Sequence, residues 1–401
     1  MKLDIPIYDE EKLKNDPDIN FNRPYQQCSI SVMDTIADPD ITFDEKGICN
    51  YYYEYLEKEK EFVFKGKEGE EKLAYIISEI KKSGEGEKYD CLTGISGGVD
   101  STYLCLQAKK LGLRPLIVHF DNGWNSELAV KNIENIIEKL GFDLYTLVVD
   151  WNEFKDLQLA YLKASVVDIE AISDHAISGT LFRLAAENKI KYILSGYNIV
   201  TEATLPSFWV FNKSDDANIK DIHKKFGTQP LKTYPFFGLK QRKIYGGLKG
   251  ISSINLLNYL PYNKQLVKKI ITEELGWRDY GGKHYESIFT RFYQGYILPL
   301  KFGIDKRKAH LSNLIFSGQI TKQEALIELQ KPVIEEQQLH NDYEFVLKKF
   351  GLSQLEFEKI LLQPRREHKE FAITQTIYYN YPILNLLKPL IYFIRKIGIK
   401  I

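Results

Sequence analysis

Ser96-Gly97-Gly98-Val99-Asp100-Ser101-Thr102 is the stretch of this 401-residue chain whose residue types and spacing most directly suggest chemistry. Two adjacent glycines let the backbone turn tightly and leave their amides free to face an anion. The hydroxyls of Ser96 and Ser101 flank them, and Asp100 can cap a following helix or help hold a magnesium ion. Together these groups make a cradle for phosphate oxygens. The lysine of a Walker A loop is missing, so the device is of another type. The competing reading is an ordinary strand–turn–helix junction with an aspartate cap.

The surrounding elements favour the cradle. Residues 90–95, 115–120, 144–149 and 191–195 read as strands, and 101–111, 127–140 and 174–188 as helices, with Gly112 and Gly141 closing the first two. A further helix begins at Glu71, where Leu73, Ile76, Ile77 and Ile80 recur at helical spacing. Such alternation predicts an α/β fold, a doubly wound parallel sheet covered on both faces, with ligands at the carboxyl ends of the strands. The loop lies at the first such end. His119-Phe120-Asp121-Asn122-Gly123-Trp124 follows the second strand. Ser195-Gly196-Tyr197-Asn198, with Glu202 a turn later, follows the fourth. The chain divides into a small irregular N-terminal module (1–66), the sheet domain (67–250) and a mainly helical substrate- or partner-binding region (251–401).

Formal net charge is zero, which argues against a general nucleic-acid binder. The charge is unevenly spread: residues 1–100 hold 13 Lys/Arg and 23 Asp/Glu, whereas residues 221–310 hold 17 and 6. The later region suits an anionic substrate, unless the two regions simply face each other or solvent. The charged N-terminus is unlike a signal peptide, no apolar run is long enough to span a bilayer, and four irregularly spaced cysteines give no disulfide framework. The cytoplasm is the expected compartment. Residues 383–401, apolar with interspersed Lys and Arg, read as a membrane-surface segment or a packed or partner-docking terminal helix.

The seven-residue loop resembles the pyrophosphate loop of the N-type ATP pyrophosphatases, of HUP-like fold. The resemblance implies ATP and Mg2+, cleavage to AMP and pyrophosphate, and adenylation of a substrate oxygen. It places nucleotide contacts at Ser96 to Thr102, Phe120, Asp121, Ser195 and Gly196, and substrate contacts at Asn198 and Glu202. Sulfur transfer would call for a nucleophilic cysteine, but Cys91 and Cys105 fall in a predicted strand and helix and read as core. Nitrogen transfer needs ammonia. Position 2 is lysine, so the chain lacks the cysteine of a built-in glutaminase, and ammonia must come from solution or a partner.

The stretches Cys28 to Thr35 and Asp38 to Asn50 resemble the N-terminus of the N-acetyl sugar amidotransferases of WbpG/PseA type. So do Asp279-Tyr280-Gly281-Gly282-Lys283-His284-Tyr285-Glu286-Ser287, Arg291 to Tyr296, and Lys301 to His310. The resemblance spans roughly residues 25–335. It implies conversion of the acetamido group of a nucleotide-activated sugar into an acetamidine for surface polysaccharide (O-antigen) synthesis. Ammonia would be supplied by a HisH-like glutaminase with a HisF-like barrel protein. It marks Lys283 and Arg291 beside Ser96 and Asp100 for catalysis. Tyr280, Gly281, Gly282, Lys283, His284, Glu286, Arg291, Lys306 and Arg307 are marked for substrate. The family's paired CxxC motifs are reduced here to Cys28 with Ser31 and Cys49 with Tyr52. Two thiolates make a poor structural zinc site, so the module is expected to hold its shape by packing. The alternatives are a tRNA-modifying or thiolating enzyme of the same fold, and a nucleotide-binding regulatory protein without turnover.

Overall fold

The computed structural model describes residues 23–282 and 285–374. The chain opens with irregular turns leading into α1 (Asn50–Phe62) and α2 (Gly66–Ser83). It then alternates β1 (Cys91–Ile95), α3 (Val99–Lys110), β2 (Pro115–Asp121), α4 (Glu127–Leu140) and β3 (Leu144–Val148). Two helices, α5 (Trp151–Ala164) and α6 (Ala171–Glu187), precede β4 (Tyr192–Ser195). After α7 (Asp216–Phe226) comes a last strand, β5 (Ser252–Asn255). All five strands pair in parallel in the order β3-β2-β1-β4-β5.

Strand periodicity builds the two faces of this sheet. Cys91, Ile95, Ile117 and Leu194 point into one core, shared with Leu104 of α3, Ile133 and Ile136 of α4, and Ile271 of α8 (Lys264–Leu275). Leu92, Leu116, Val118 and Ile193 point the other way, onto Leu184 and Ala185 of α6. The sheet is therefore doubly wound as the alternation predicted, with two corrections. Coverage stops short at the β3 edge, where Leu144, Tyr145 and Val148 are exposed, Val148 at 70%. The fifth strand, Ser252-Ser253-Ile254-Asn255, carries the sheet past residue 250. Four residues with one aliphatic among them gave no periodicity to read.

Further helices are α9 (Ile288–Phe292), running on into wide π-type turns over Tyr293–Phe302, α10 (Arg307–Phe316), α11 (Lys322–Leu329), α12 (Glu336–Phe350) and α13 (Gln354–Leu361). Their aromatic residues Phe292, Tyr296, Tyr343, Phe350 and Phe357 share one core with α5 and with Cys28, Met33, Ile41 and Tyr51 of the N-terminal module. No helix among the described residues is long and apolar enough to cross a membrane. Residues 383–401 lie outside the described residues.

Candidate nucleotide site

β1 sits at the centre of the sheet, and the loops after β1 and β4 diverge there, opening the crevice in which doubly wound sheets take ligands. The Ser96–Ser101 loop fills that position. Gly97 turns at φ +80°, and a Cβ on it would lie 2.8 Å from the Ala129 carbonyl oxygen. The Gly98 amide donates to Ser96 Oγ at 3.2 Å, Ser96 Oγ is 3.3 Å from Ser101 Oγ, and Ser101 Oγ donates to the Gly98 carbonyl at 3.2 Å. The side chains of Val99 and Thr102 are buried and fasten α3 to the sheet, so their side chains belong to the packing and not to the cradle.

Asp100 ties the two loops together. Its Oδ1 accepts from the Tyr262 hydroxyl and, at 3.3 Å, from Asn198 Nδ2. Burial first, and then the Asp100 charge, raises the Tyr262 hydroxyl pKa, keeping it a donor. Gly196 passes so close that a Cβ there would lie 3.4 Å from the Ser101 amide nitrogen. Ser195 Oγ accepts from the Tyr197 amide, and Glu202 stands half-buried on the next turn. Asn198 is fully buried and caps that turn by accepting from Thr201 N at 3.0 Å. It is scaffold and not a surface for substrate.

At the end of β2 the polar groups mainly fold the loop. Asp121 Oδ1 accepts from the Gly123 amide at 2.8 Å and from Asn125 Nδ2 at 3.0 Å. Phe120 is half-buried, its ring edge-on to Phe154. His119 Nδ1 lies 3.0 Å from the Ile95 carbonyl oxygen, and its Nε2 lies 3.1 Å from Asn125 Nδ2.

A distant segment closes over the loop. Trp277 Nε1 donates to the Gly97 carbonyl at 2.8 Å. Ser96 Oγ donates to Glu286 Oε1 at 3.4 Å. A Cβ on Gly98 would meet Glu286 Oε1 at 3.2 Å and Tyr280 Oη at 3.3 Å. Two oxygens of the segment thus face the backbone of Gly98. Gly281, at φ +90°, turns the chain, and a Cβ on Gly282 would clash with the Tyr285 ring. Lys283 and His284 lie outside the described residues.

The arginines marked for catalysis and substrate have structural partners. Arg291 makes a two-pronged pair with buried Asp342, with Nε and Nη2 each 2.7 Å from a carboxylate oxygen, because that carboxylate needs a cation when α9 packs on α12. Arg307 grips Asp305 at 2.7 Å and the Lys331 carbonyl at 2.8 Å. Lys306 faces Glu170 at 3.6 Å. Lys308 reaches Asp34 at 2.5 Å, so part of the basic excess of 221–310 does meet the acidic N-terminal module.

In that module Cys28, Ser31 and Cys49 converge. The Cys49 amide donates to Cys28 Sγ at 3.3 Å, and Ser31 Oγ is 3.9 Å from Cys49 Sγ. Hydrogen bonding between the two thiols lowers the pKa of Cys28 and raises that of Cys49. Tyr52, at the fourth position, turns its ring toward Phe316. No cluster of three or more His, Cys, Asp or Glu able to hold a metal occurs among the described residues. Cys91 and Cys105 are fully buried, and burial raises both, Cys105 to about 12.

The residues that sequence reading missed are Tyr262, Trp277 and Asn125. The first two lie in the loops on either side of α8, and no local pattern marks them. Asn125 immediately follows a motif that was noticed, and its backbone pairing with Ser287 came only with the fold.

Residues 286–385 match the family described as LPS biosynthesis protein WbpG-like, C-terminal domain. The match takes in Arg291–Tyr296 and Lys301–His310 of the stretches that carried the resemblance, while Cys28–Thr35, Asp38–Asn50 and all but the last two residues of Asp279–Ser287 lie outside it. No curated protein matches the chain. Among solved structures, NMN synthetase from Francisella tularensis aligns at 14% identity and TM-score 0.33, over 74% of this chain and 99% of its own. An NH3-dependent NAD synthetase from Campylobacter jejuni subsp. jejuni aligns at 13% identity and TM-score 0.29, over 67% of this chain and 99% of its own.

Proposed function

We propose that the chain is an ATP-dependent amidotransferase that adenylates the acetamido carbonyl oxygen of a nucleotide-activated sugar and replaces it with nitrogen. The observation that carries this reading is the Ser96–Ser101 loop at the carboxyl end of the central strand, with Asp100 at its side. The WbpG-like match over 286–385 favours a sugar substrate of surface-polysaccharide synthesis. The buried, high-pKa Cys91 and Cys105 weigh against thiolation.

In this reading the carbonyl oxygen attacks the α-phosphorus of ATP. The α–β phosphoanhydride breaks, and pyrophosphate departs into the loop, held by its amides and the Ser96 and Ser101 hydroxyls. Ammonia adds to the resulting imidate carbon, and AMP leaves with the former carbonyl oxygen to give the amidine. Asp100 and Glu286, the two carboxylates that reach this loop, are the residues that would hold Mg2+, which when bound would screen the charge of the phosphates. Ammonia would come from a HisH-like glutaminase with a HisF-like delivery protein. Mass spectrometry after incubation with ATP, ammonium and nucleotide-linked acetamido sugars should find AMP and a sugar about one dalton lighter. AMP without the lighter sugar would move the acceptor elsewhere. No AMP with any sugar, with or without the glutaminase, would sink the reading.

A further inference from the structure

Behind the phosphate loop runs a closed circuit of hydrogen bonds through His119. The Ile95 carbonyl only accepts, so His119 Nδ1, 3.0 Å away, carries the proton. The Asn125 Nδ2 group only donates, an orientation fixed by its second bond to the Asp121 carboxylate at 3.0 Å, so His119 Nε2 presents its lone pair to it. Asn125 in turn pairs with Ser287 in an isolated antiparallel bridge. On either side of it the Ser126 amide donates to the Glu286 carbonyl at 2.9 Å and the Ile288 amide to the Trp124 carbonyl at 2.8 Å. The Glu286 carboxylate then returns to Ser96 Oγ at 3.4 Å, one residue beyond Ile95.

We propose that His119 is a positioning residue of the nucleotide site: through Asn125 it sets the bridge that holds the Glu286 carboxylate against the phosphate loop. This rests on reading the loop as the seat of ATP's phosphates. A carboxylate at that spot repels a bare polyphosphate and is tolerated only with a divalent cation between the two. The latch thereby makes nucleotide binding depend on Mg2+.

Calorimetric titration with ATP, with and without Mg2+, tests this on the full chain. In the wild type Mg2+ should tighten ATP at least tenfold. Glu286→Gln and Asn125→Ala should cut that ratio at least fivefold. His119→Gln, which keeps an acceptor at the Nε2 position, should retain it, whereas His119→Asn, which keeps only the donor toward Ile95, should lose it. Thermal melts identify any variant that fails to fold, and the Gln and Asn pair, both smaller than histidine, isolates the acceptor from the loss of bulk. Equal ratios in His119→Gln and His119→Asn, or an unchanged ratio in Asn125→Ala, would overturn the role of His119. No ATP binding by the wild type under either condition would instead overturn the nucleotide reading beneath it.

Discussion

Asp100 combines a charge with a fixed shape, and the two are separable by mutation. Asp100→Asn keeps acceptor capacity toward the Tyr262 hydroxyl while removing the charge. AMP formation should fall by about 10²–10³-fold with the melting temperature little changed, as an end-point assay beside a thermal scan would show. Asp100→Ala also strands the buried Tyr262 hydroxyl, adding roughly 1–3 kcal/mol of lost stability. A second residue gives a pH signature away from the site. His368 is buried, stacked on Phe211 at 4.2 Å, and holds Asn218 Oδ1 through Nδ1 at 2.8 Å. Burial pulls its pKa from 6.5 down to about 4. Between those values the unfolded chain binds the proton and the folded chain does not. Stability therefore falls as pH drops through this window, by roughly 1.4 kcal/mol per unit from this group. Denaturant titrations from pH 4 to 7 should show a slope shallower by that amount in His368→Gln, and equal slopes would refute the assignment.

At the level of elements, the first four strands were legible because their apolar residues are nearly continuous, as befits the three internal ones, β1, β2 and β4, which are covered on both faces. The helix Glu127–Leu140 could be read to the residue, since Gly141 closes it at φ +64°. The loop was legible because its residues are adjacent in the chain. Its partners were not: Tyr262, Trp277 and Glu286 lie more than 160 residues away and meet it only through the fold. Arg291 meets its acid, Asp342, only when the helices pack, whereas Arg307 pairs with Asp305 just two residues before it in the chain. β3 looked like a core strand and is an exposed edge carrying no charge from Leu144 to Val149. Such an edge invites pairing with other chains. Val148→Lys should leave the melting temperature nearly unchanged and lower light scattering at high protein concentration; unchanged scattering would clear the edge of blame.

Across the whole molecule, the N-terminal module is fastened to the C-terminal helices by a buried ion pair. Lys308 meets Asp34 at 2.5 Å with side chains 3% and 0% exposed. Lys308→Met leaves a buried carboxylate without this cation and should cost about 3–5 kcal/mol in denaturant melts. Asp34→Asn with Lys308→Met together should recover part of that loss, and a strictly additive double mutant would disprove the coupling. Lys349 makes a similar fastening from α12, its ammonium hydrogen-bonded to the Gly123 carbonyl among Trp124, Trp151 and Phe345. The tryptophans have an optical consequence. Trp277 shares a hydrogen bond with the Ser96–Ser101 loop itself, while Trp124 and Trp151 enclose the loop after β2. Any ligand that reshapes the backbone of Gly97 alters the electrostatic surroundings of an indole already touching it. The colour and yield of the protein's own emission therefore become a built-in gauge of occupancy, readable without a label.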